Sequence, residues 1–232
     1  MSAAAETPPV APSPLPPPAL PPVTHEVVDP ADEAAVQWLC DLLRLGRADL
    51  YGQDEADLAL LPTLTRTWMR CGEQLQVPAP GTNEKRSVSS AIDLGDGGLF
   101  WFNDGRRSVA QFCATVHSGV IRSNARGRIA VFLIDNAPSH RLGKTGWVRK
   151  LLNIDAGRLV LVFQPKYAPE LQPTERLWRQ WRPNVTHNHT CATMEELIGE
   201  SDGWLTRMAA DPSAVLSAVG QSVDCLILNM AA

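Results

Sequence analysis

Hydrophobic and polar positions follow two different patterns along the chain. Five short segments combine apolar or β-branched residues with polar boundaries, which is typical of strands. They are Ala48–Gly52, Ser87–Ile92, Leu99–Phe102, Arg128–Ile134 and Leu159–Phe163. The turn Asp96–Gly98 is a strong hairpin signal, so the two strands that flank it are expected to pair in an antiparallel manner.

Helical spacing and capping residues occupy most of the remaining intervals. Helices are predicted after Asp29-Pro30, over Ser108–Val116 and Gly146–Leu152, from Thr174 to a stop at Pro183, from the capping box at Thr193, and after Asp211-Pro212. The order is strand, hairpin of two strands, helix, strand, helix, strand, then helices. This order predicts an α/β fold with a mixed sheet flanked by helices.

The N-terminal segment has a different composition from the rest of the chain. Ten of the 19 prolines lie in residues 1–30, and the tract Pro8–Pro22 can form neither a helix nor a central strand. We expect residues 1–30 to be disordered, residues 31–210 to form the main folded domain, and residues 211–232 to hold a C-terminal helix. The tract is interpreted as a linker or the remnant of a longer segment, and a ligand for a proline-reading domain is the alternative.

Composition excludes several classes of protein. The chain has 232 residues, of which 44% are hydrophobic, and this excludes a small disulfide scaffold and a coiled coil. The longest apolar run, Ile129–Ile134, is far shorter than the roughly 20 residues of a membrane span. No secretory signal is visible, and five scattered cysteines without a CxxC pair indicate reduced thiols. A cytoplasmic protein without a membrane partner is expected.

The net charge of −4 hides an asymmetry along the chain. Residues 1–62 hold two basic residues and ten acids, whereas residues 104–190 hold 14 basic residues and five acids. A basic central block can meet a polyanion even when the whole chain is acidic, so nucleic acid is one candidate partner. A solvated, arginine-rich face is the other interpretation.

Three acids stand where a sheet gathers ligands. Asp54 and Asp135 follow predicted strands, and Glu175 falls in the first turn of a predicted helix. A cluster of carboxylates is unfavourable unless a cation neutralises it, and oxygen ligands suit Mg²⁺. The alternative is three separate, solvated acids at the starts of loops.

These acids lie inside three blocks that resemble the catalytic blocks of mariner-like transposases. The blocks are Tyr51–Ala56 continued by Pro62–Trp68 and Gly72, then Phe132–His140, then Phe163–Trp178. Together they resemble the bacterial insertion-sequence-630 family, with its DDE superfamily endonuclease domain, over residues 32–210. The third block is the most specific, because several prolines, an aromatic residue and an acid recur at fixed offsets.

The resemblance implies an RNase H-like fold and a DNA-cleaving, strand-transferring site in cut-and-paste transposition. Asp54, Asp135 and Glu175 match the family's catalytic, metal-binding acids, and they would hold two Mg²⁺ or Mn²⁺ ions. Of the two adjacent acids, the resemblance implies that Asp54 binds metal and Glu55 does not. Gln172 stands where the family usually has Asn. The implied partners are transposon ends and target DNA, in a homodimer associated with the nucleoid.

Four further residues are weaker candidates for contact with nucleic acid. His140 could orient the site or contact phosphate, and stabilisation of a turn is the alternative. Arg141, Lys144 and Arg176 could bind the DNA backbone, which would make affinity fall with salt. A solvated basic face is the other reading of these three.

A possible zinc site is also visible. His187, His189 and Cys191 alternate in a way that could hold a metal on a strand, but no fourth ligand is apparent.

Relatives in this family carry helix-turn-helix domains before the catalytic domain, and residues 1–30 cannot form one. We therefore expect a truncated copy, or the second reading frame of an element whose helix-turn-helix part is a separate subunit. Two other functions fit the same residues. One is an inactive remnant that binds only DNA or another subunit. The other is a different RNase H-like nuclease.

Overall fold

The computed structural model describes residues 22–24, 26–29, 31–103, 109–135, 140, 146–164 and 172–220. The strands are β1 (Val27–Val28), β2 (Ala48–Ala59), β3 (Lys85–Asp93), β4 (Leu99–Phe102), β5 (Ile129–Ile134) and β6 (Leu159–Phe163). The helices are α1 (Glu33–Arg44), α2 (Val109–Ala125), α3 (Trp147–Ile154), α4 (Pro173–Val185), α5 (Met194–Ala209) and α6 (Pro212–Val219). None of the helices in these residues is both long and apolar enough to cross a membrane.

The six strands form one sheet in the order β1-β6-β5-β2-β3-β4. The pairs β1–β6, β6–β5 and β5–β2 are parallel, whereas β2–β3 and β3–β4 are antiparallel. The three-strand meander β2-β3-β4 leads into helical crossovers that add β5 and β6 on the other side of β2. The predicted mixed α/β sheet flanked by helices is confirmed.

Helices cover both faces of the sheet, and each face has its own apolar core. One core joins inward residues of β2, β5 and β6 to α1, α4, α5 and α6, and its largest side chains are Trp178 and Trp181. The other joins the opposite side of the same strands to α2 and α3, with Phe112 and Phe132 at its centre. The central strands β5 and β6 are buried on both sides, which explains their uninterrupted apolar sequences.

The strand β2 is longer than its sequence predicts. It continues past Gly52 to Ala59, so Asp54 lies within the strand and not after it. Residues 51–59 pair with β3 through Tyr51↔Asp93 to Ala59↔Lys85. This pairing satisfies the backbone of a segment whose polar residues have weak strand preference, and tertiary contacts therefore override local propensity.

Several helix boundaries also differ from the prediction. The helix α1 begins after Asp32, whose carboxylate accepts from the Ala35 N–H, and not at Asp29-Pro30. The helix α2 continues to Ala125, nine residues past Val116. Pro183 does not stop α4: it lies in the last turn, and the helix ends two residues later at Val185.

Candidate active site

Strand register brings Asp54 and Asp135 to the same level of the sheet. The last paired residues of the parallel strands β2 and β5 are Gly52 and Leu133. Asp54 and Asp135 each lie two residues beyond that pair, where β5 has ended and β2 continues only with β3. The carboxyl ends of parallel strands are where α/β sheets gather ligands, so the two acids are at the expected edge.

The first turn of α4 brings Glu175 to this edge. Gln172 is the N-cap residue and Pro173 the first helical residue. The predicted cap, Thr174, therefore lies inside the helix, and that prediction is wrong. The Gln172 side chain donates from Nε2 to the Gln53 carbonyl at 2.9 Å, and this buried bond joins α4 to β2. Glu175 is therefore held beside Asp54.

A close backbone approach supports the same contact. A Cβ atom on Gly52 would lie 2.7 Å from Cγ of Pro173 and 3.0 Å from Oγ1 of Thr174. Only glycine allows this separation of β2 and α4 without a shift. The position of Glu175 thus depends on a missing side chain in the neighbouring strand.

The carboxylates act on one another electrostatically. Burial raises the pKa of Asp54 to about 7, and the negative charges of Asp135, Glu175 and Glu55 add to the rise. The backbone N–H of Glu55 acts in the opposite direction. The site therefore gathers negative charge that its own residues leave partly uncompensated, which is the condition that a bound cation relieves.

His140 is buried at the edge of this cluster. Its Nδ1–H donates to Oδ1 of Asp135 at 2.6 Å, and its Nε2 lies 3.7 Å from Oε1 of Glu55. Burial lowers the pKa of His140, but its contacts with Asp135 and Glu55 outweigh that effect and raise it to about 9. The imidazole is therefore positively charged at neutral pH, between two carboxylates.

The three acids suit an oxygen-preferring divalent cation by charge and by donor type. Their spacing, however, is too wide to hold one ion as they stand. Among the described residues, no group of three His, Cys, Asp or Glu side chains is gathered closely enough to hold one metal ion. The acids are thus electrostatically coupled without forming a closed set of ligands, so binding of an ion would require them to draw together.

The structure places the other sequence candidates differently. Arg176 donates from Nη1 to the Val219 carbonyl at 3.0 Å, so its guanidinium lies at the C-terminal end of α6. His140 is buried and does not lie on the surface. Arg141 and Lys144 lie outside the described residues, as do residues 8–21 of the proline tract.

The alternating His187, His189 and Cys191 do not lie on a strand. Only His187 makes a β-bridge, to Thr63. His189 Nε2 is 3.4 Å from the Ala59 carbonyl, and no set of three metal ligands forms in this described segment. The sequence interpretation missed the contact between Glu55 and His140. Two features of the sequence are compatible with it, namely the opposite facing of adjacent strand residues and a histidine five positions after Asp135, but neither identifies the partner.

Comparison with known proteins agrees with the fold. A mixed sheet of this order with helices on both faces is RNase H-like, and the acids at its edge define a candidate metal-dependent nuclease. The family model described as "DDE superfamily endonuclease" matches residues 49–198, which include Asp54, Asp135 and Glu175. The chain belongs to this family.

The chain is also similar to a protein of an insertion element. The insertion element IS630 uncharacterized 39 kDa protein of Shigella sonnei is 27% identical over 150 residues, covering 64% of this chain and 42% of that protein. The chain thus spans less than half the length of this relative.

Solved structures share the fold. The Mos1 mariner paired end complex with Mn is similar with a TM-score of 0.56 and 16% identity, over 86% of this chain and 61% of that one. The Mos1 strand transfer complex is similar with a TM-score of 0.51 and 18% identity, over 85% of this chain and 58% of that one.

Proposed function

We propose that this chain is the catalytic domain of a DNA transposase that cleaves DNA strands and transfers them in cut-and-paste transposition. One observation above all supports the proposal. Asp135 and Glu175 lie close enough to Asp54 for their negative charges to raise its pKa, at the edge of the sheet where the pairing of β2 with β5 ends. Membership of the DDE endonuclease family supports a role for these acids in DNA cleavage.

Asp54, Asp135 and Glu175 are the residues we propose as metal ligands, for two Mg²⁺ or Mn²⁺ ions. When bound at these residues, a pair of divalent ions would activate a water or a 3′-hydroxyl and would stabilise the leaving oxygen in an in-line displacement at phosphorus. The protein's part is to fix the carboxylates: Asp54 through the strand pairing of β2, Asp135 through His140, and Glu175 through the docking of α4 on Gly52.

The proposed substrates are transposon ends and target DNA. The similar Mos1 structures are a paired end complex and a strand transfer complex, and the sequence has a basic block over residues 104–190. We further propose that the chain works as a homodimer and that end recognition comes from a helix-turn-helix part, in a separate subunit or elsewhere in a longer protein.

Cleavage and joining assays test the function. The unaltered chain with Mn²⁺ should nick supercoiled plasmid DNA and join an oligonucleotide with a free 3′-hydroxyl to it. Asp54→Ala, Asp135→Ala and Glu175→Ala should each abolish both reactions. Asp57→Ala is the matched control, because Asp57 is an exposed acid on the same strand with the opposite side-chain parity to Asp54.

The products separate the proposal from its rivals. Joining of the oligonucleotide identifies a transposase, whereas nicking without joining, or a preference for RNA–DNA hybrids, identifies another RNase H-like nuclease. A chain that binds DNA but cleaves nothing in Mn²⁺ is an inactive remnant, and that result overturns the proposal.

A further inference from the structure

Glu55 is a buried carboxylate next to the proposed metal ligand Asp54. Its side chain is 5% exposed, and as a neighbour in a strand it faces the opposite side of the sheet from Asp54. A buried carboxylate is unfavourable unless charged or hydrogen-bonding groups compensate it. The His140 imidazole, 3.7 Å away and 4% exposed, supplies such compensation.

The same imidazole also holds Asp135. The Asp135 side chain is 47% exposed and lies beyond the last residue of β5, so strand pairing does not set the orientation of its carboxylate. His140 Nδ1–H binds one carboxylate oxygen of Asp135 at 2.6 Å. The ring is fixed in turn by stacking on Phe112, with centroids 4.3 Å apart.

We infer that His140 and Glu55 are positioning residues for Asp135. In this chain of contacts, the Glu55 carboxylate lies 3.7 Å from Nε2 of the imidazole, and Nδ1–H of the imidazole holds one oxygen of Asp135 in the orientation that metal binding needs. The inference rests on the proposed function, because it takes Asp135 to be a metal ligand. Carboxylates that bind metals are generally held by such outer hydrogen bonds, whose loss weakens metal affinity by about tenfold to a hundredfold.

Two substitutions of His140 separate positioning from mere packing. His140→Phe keeps a ring that can stack on Phe112 but removes the donor to Asp135. His140→Asn removes the ring but places an amide N–H close to the position of Nδ1. Calorimetric titration of the full chain with Mn²⁺ alone is the measurement, because it reads the site without requiring DNA or turnover.

If His140 positions Asp135, the Phe variant should bind Mn²⁺ about tenfold to a hundredfold more weakly, and the Asn variant should recover most of the affinity. A packing role predicts the reverse order, since only the Phe variant keeps the stacking. Unchanged affinity in the Phe variant, or an Asn variant weaker than the Phe variant, would overturn the inference.

Glu55→Gln tests the outer link and serves if His140→Phe fails to fold. It should weaken Mn²⁺ binding less than His140→Phe does, and the double variant should bind no more weakly than His140→Phe alone. Unchanged affinity in Glu55→Gln would remove Glu55 from the inference. In a folded double variant, two losses that simply add would show that the residues act separately.

His117→Phe is the matched control. His117 also pairs with a carboxylate, through Nδ1 at 3.0 Å from Asp155 Oδ2, but it joins α2 to the residue after α3, away from the acids. Its loss should leave Mn²⁺ affinity unchanged. If the unaltered chain binds no Mn²⁺, the proposed metal site fails and this inference fails with it. If that chain binds and His140→Phe binds equally well, only the inference fails.

Discussion

Gly52 of β2 lies directly against Pro173 of α4, so close that a Cβ atom at position 52 would lie 2.7 Å from the proline Cγ. The contact sets the height of the first turn of α4 over the strand that carries Asp54. We therefore regard this packing contact as part of the site, although neither residue has a functional group.

Gly52→Ala should displace the start of α4 and move Glu175 away from Asp54. Inserting one methyl group into a packed contact costs typically about 1–3 kcal/mol of unfolding free energy. We expect that loss in chemical denaturation, together with a lower rate of Mn²⁺-dependent plasmid nicking. Gly199→Ala is the control, because a Cβ there meets no atom within 4 Å. Equal behaviour of the two variants would show that the close approach is unimportant.

The Gln172 amide is the second link between α4 and β2. Gln172→Ala leaves the buried Gln53 carbonyl without this donor, and the loss of such a partner costs about 1–3 kcal/mol. Urea unfolding should record this loss. The control is Gln37→Ala, which removes an exposed bond to Asp41 within α1 and should change stability little. A larger effect at Gln37 than at Gln172 would contradict the assignment.

Arg176 should act through stability and not through DNA. Its guanidinium binds the carbonyl at the C-terminal end of α6, where the helix dipole favours positive charge. Arg176→Ala should lower the free energy of unfolding by about 1–3 kcal/mol and leave the salt dependence of DNA binding unchanged. Arg179→Ala, an exposed position of the same helix, is the comparison. A shallower salt dependence in Arg176→Ala would instead support contact with the DNA backbone.

The stability of the metal-free protein should fall as the pH rises. The pKa of His140 in the folded chain, about 9, is above its ordinary value of 6.5, so the folded state binds this proton more tightly than the unfolded state does. This contribution is fully present below pH 6.5 and is lost as the pH rises through 9, and its upper limit is on the order of 3 kcal/mol.

Thermal unfolding in a chelator between pH 6 and 9.5 measures this effect. His140→Phe should unfold with a flatter pH profile than the unaltered chain, and His117→Phe should keep the unaltered profile. Identical slopes in the unaltered chain and His140→Phe would show that the two carboxylates do not hold the proton on His140.

The central apolar strands could be predicted from sequence because their pattern is local. Leu159–Phe163 is apolar throughout and was predicted with its correct bounds, whereas β2 was cut short at Gly52. The second half of β2 exists because β3 pairs with it, and that pairing partner lies more than 25 residues away along the chain. A local pattern carries no information about such a partner.

The site was predictable only in part for the same reason. Asp54, Asp135 and Glu175 were identified as candidates by their blocks, which are continuous in sequence. The bond from Gln172 to Gln53 and the contact of His140 with Glu55 join residues 119 and 85 positions apart, so they emerge only when the strands are in register. The sequence offered Arg176 only as a candidate for contact with the DNA backbone, and it did not indicate that α6 ends beside this guanidinium.

The most direct test of the central claim is Mn²⁺ binding by calorimetry, on the unaltered chain and on Asp135→Ala, each with and without DNA. We predict saturable binding that disappears in the variant, and affinity that increases when DNA is present. Binding that persists in Asp135→Ala, or no binding at millimolar Mn²⁺ even with DNA, would contradict a metal site formed by Asp54, Asp135 and Glu175.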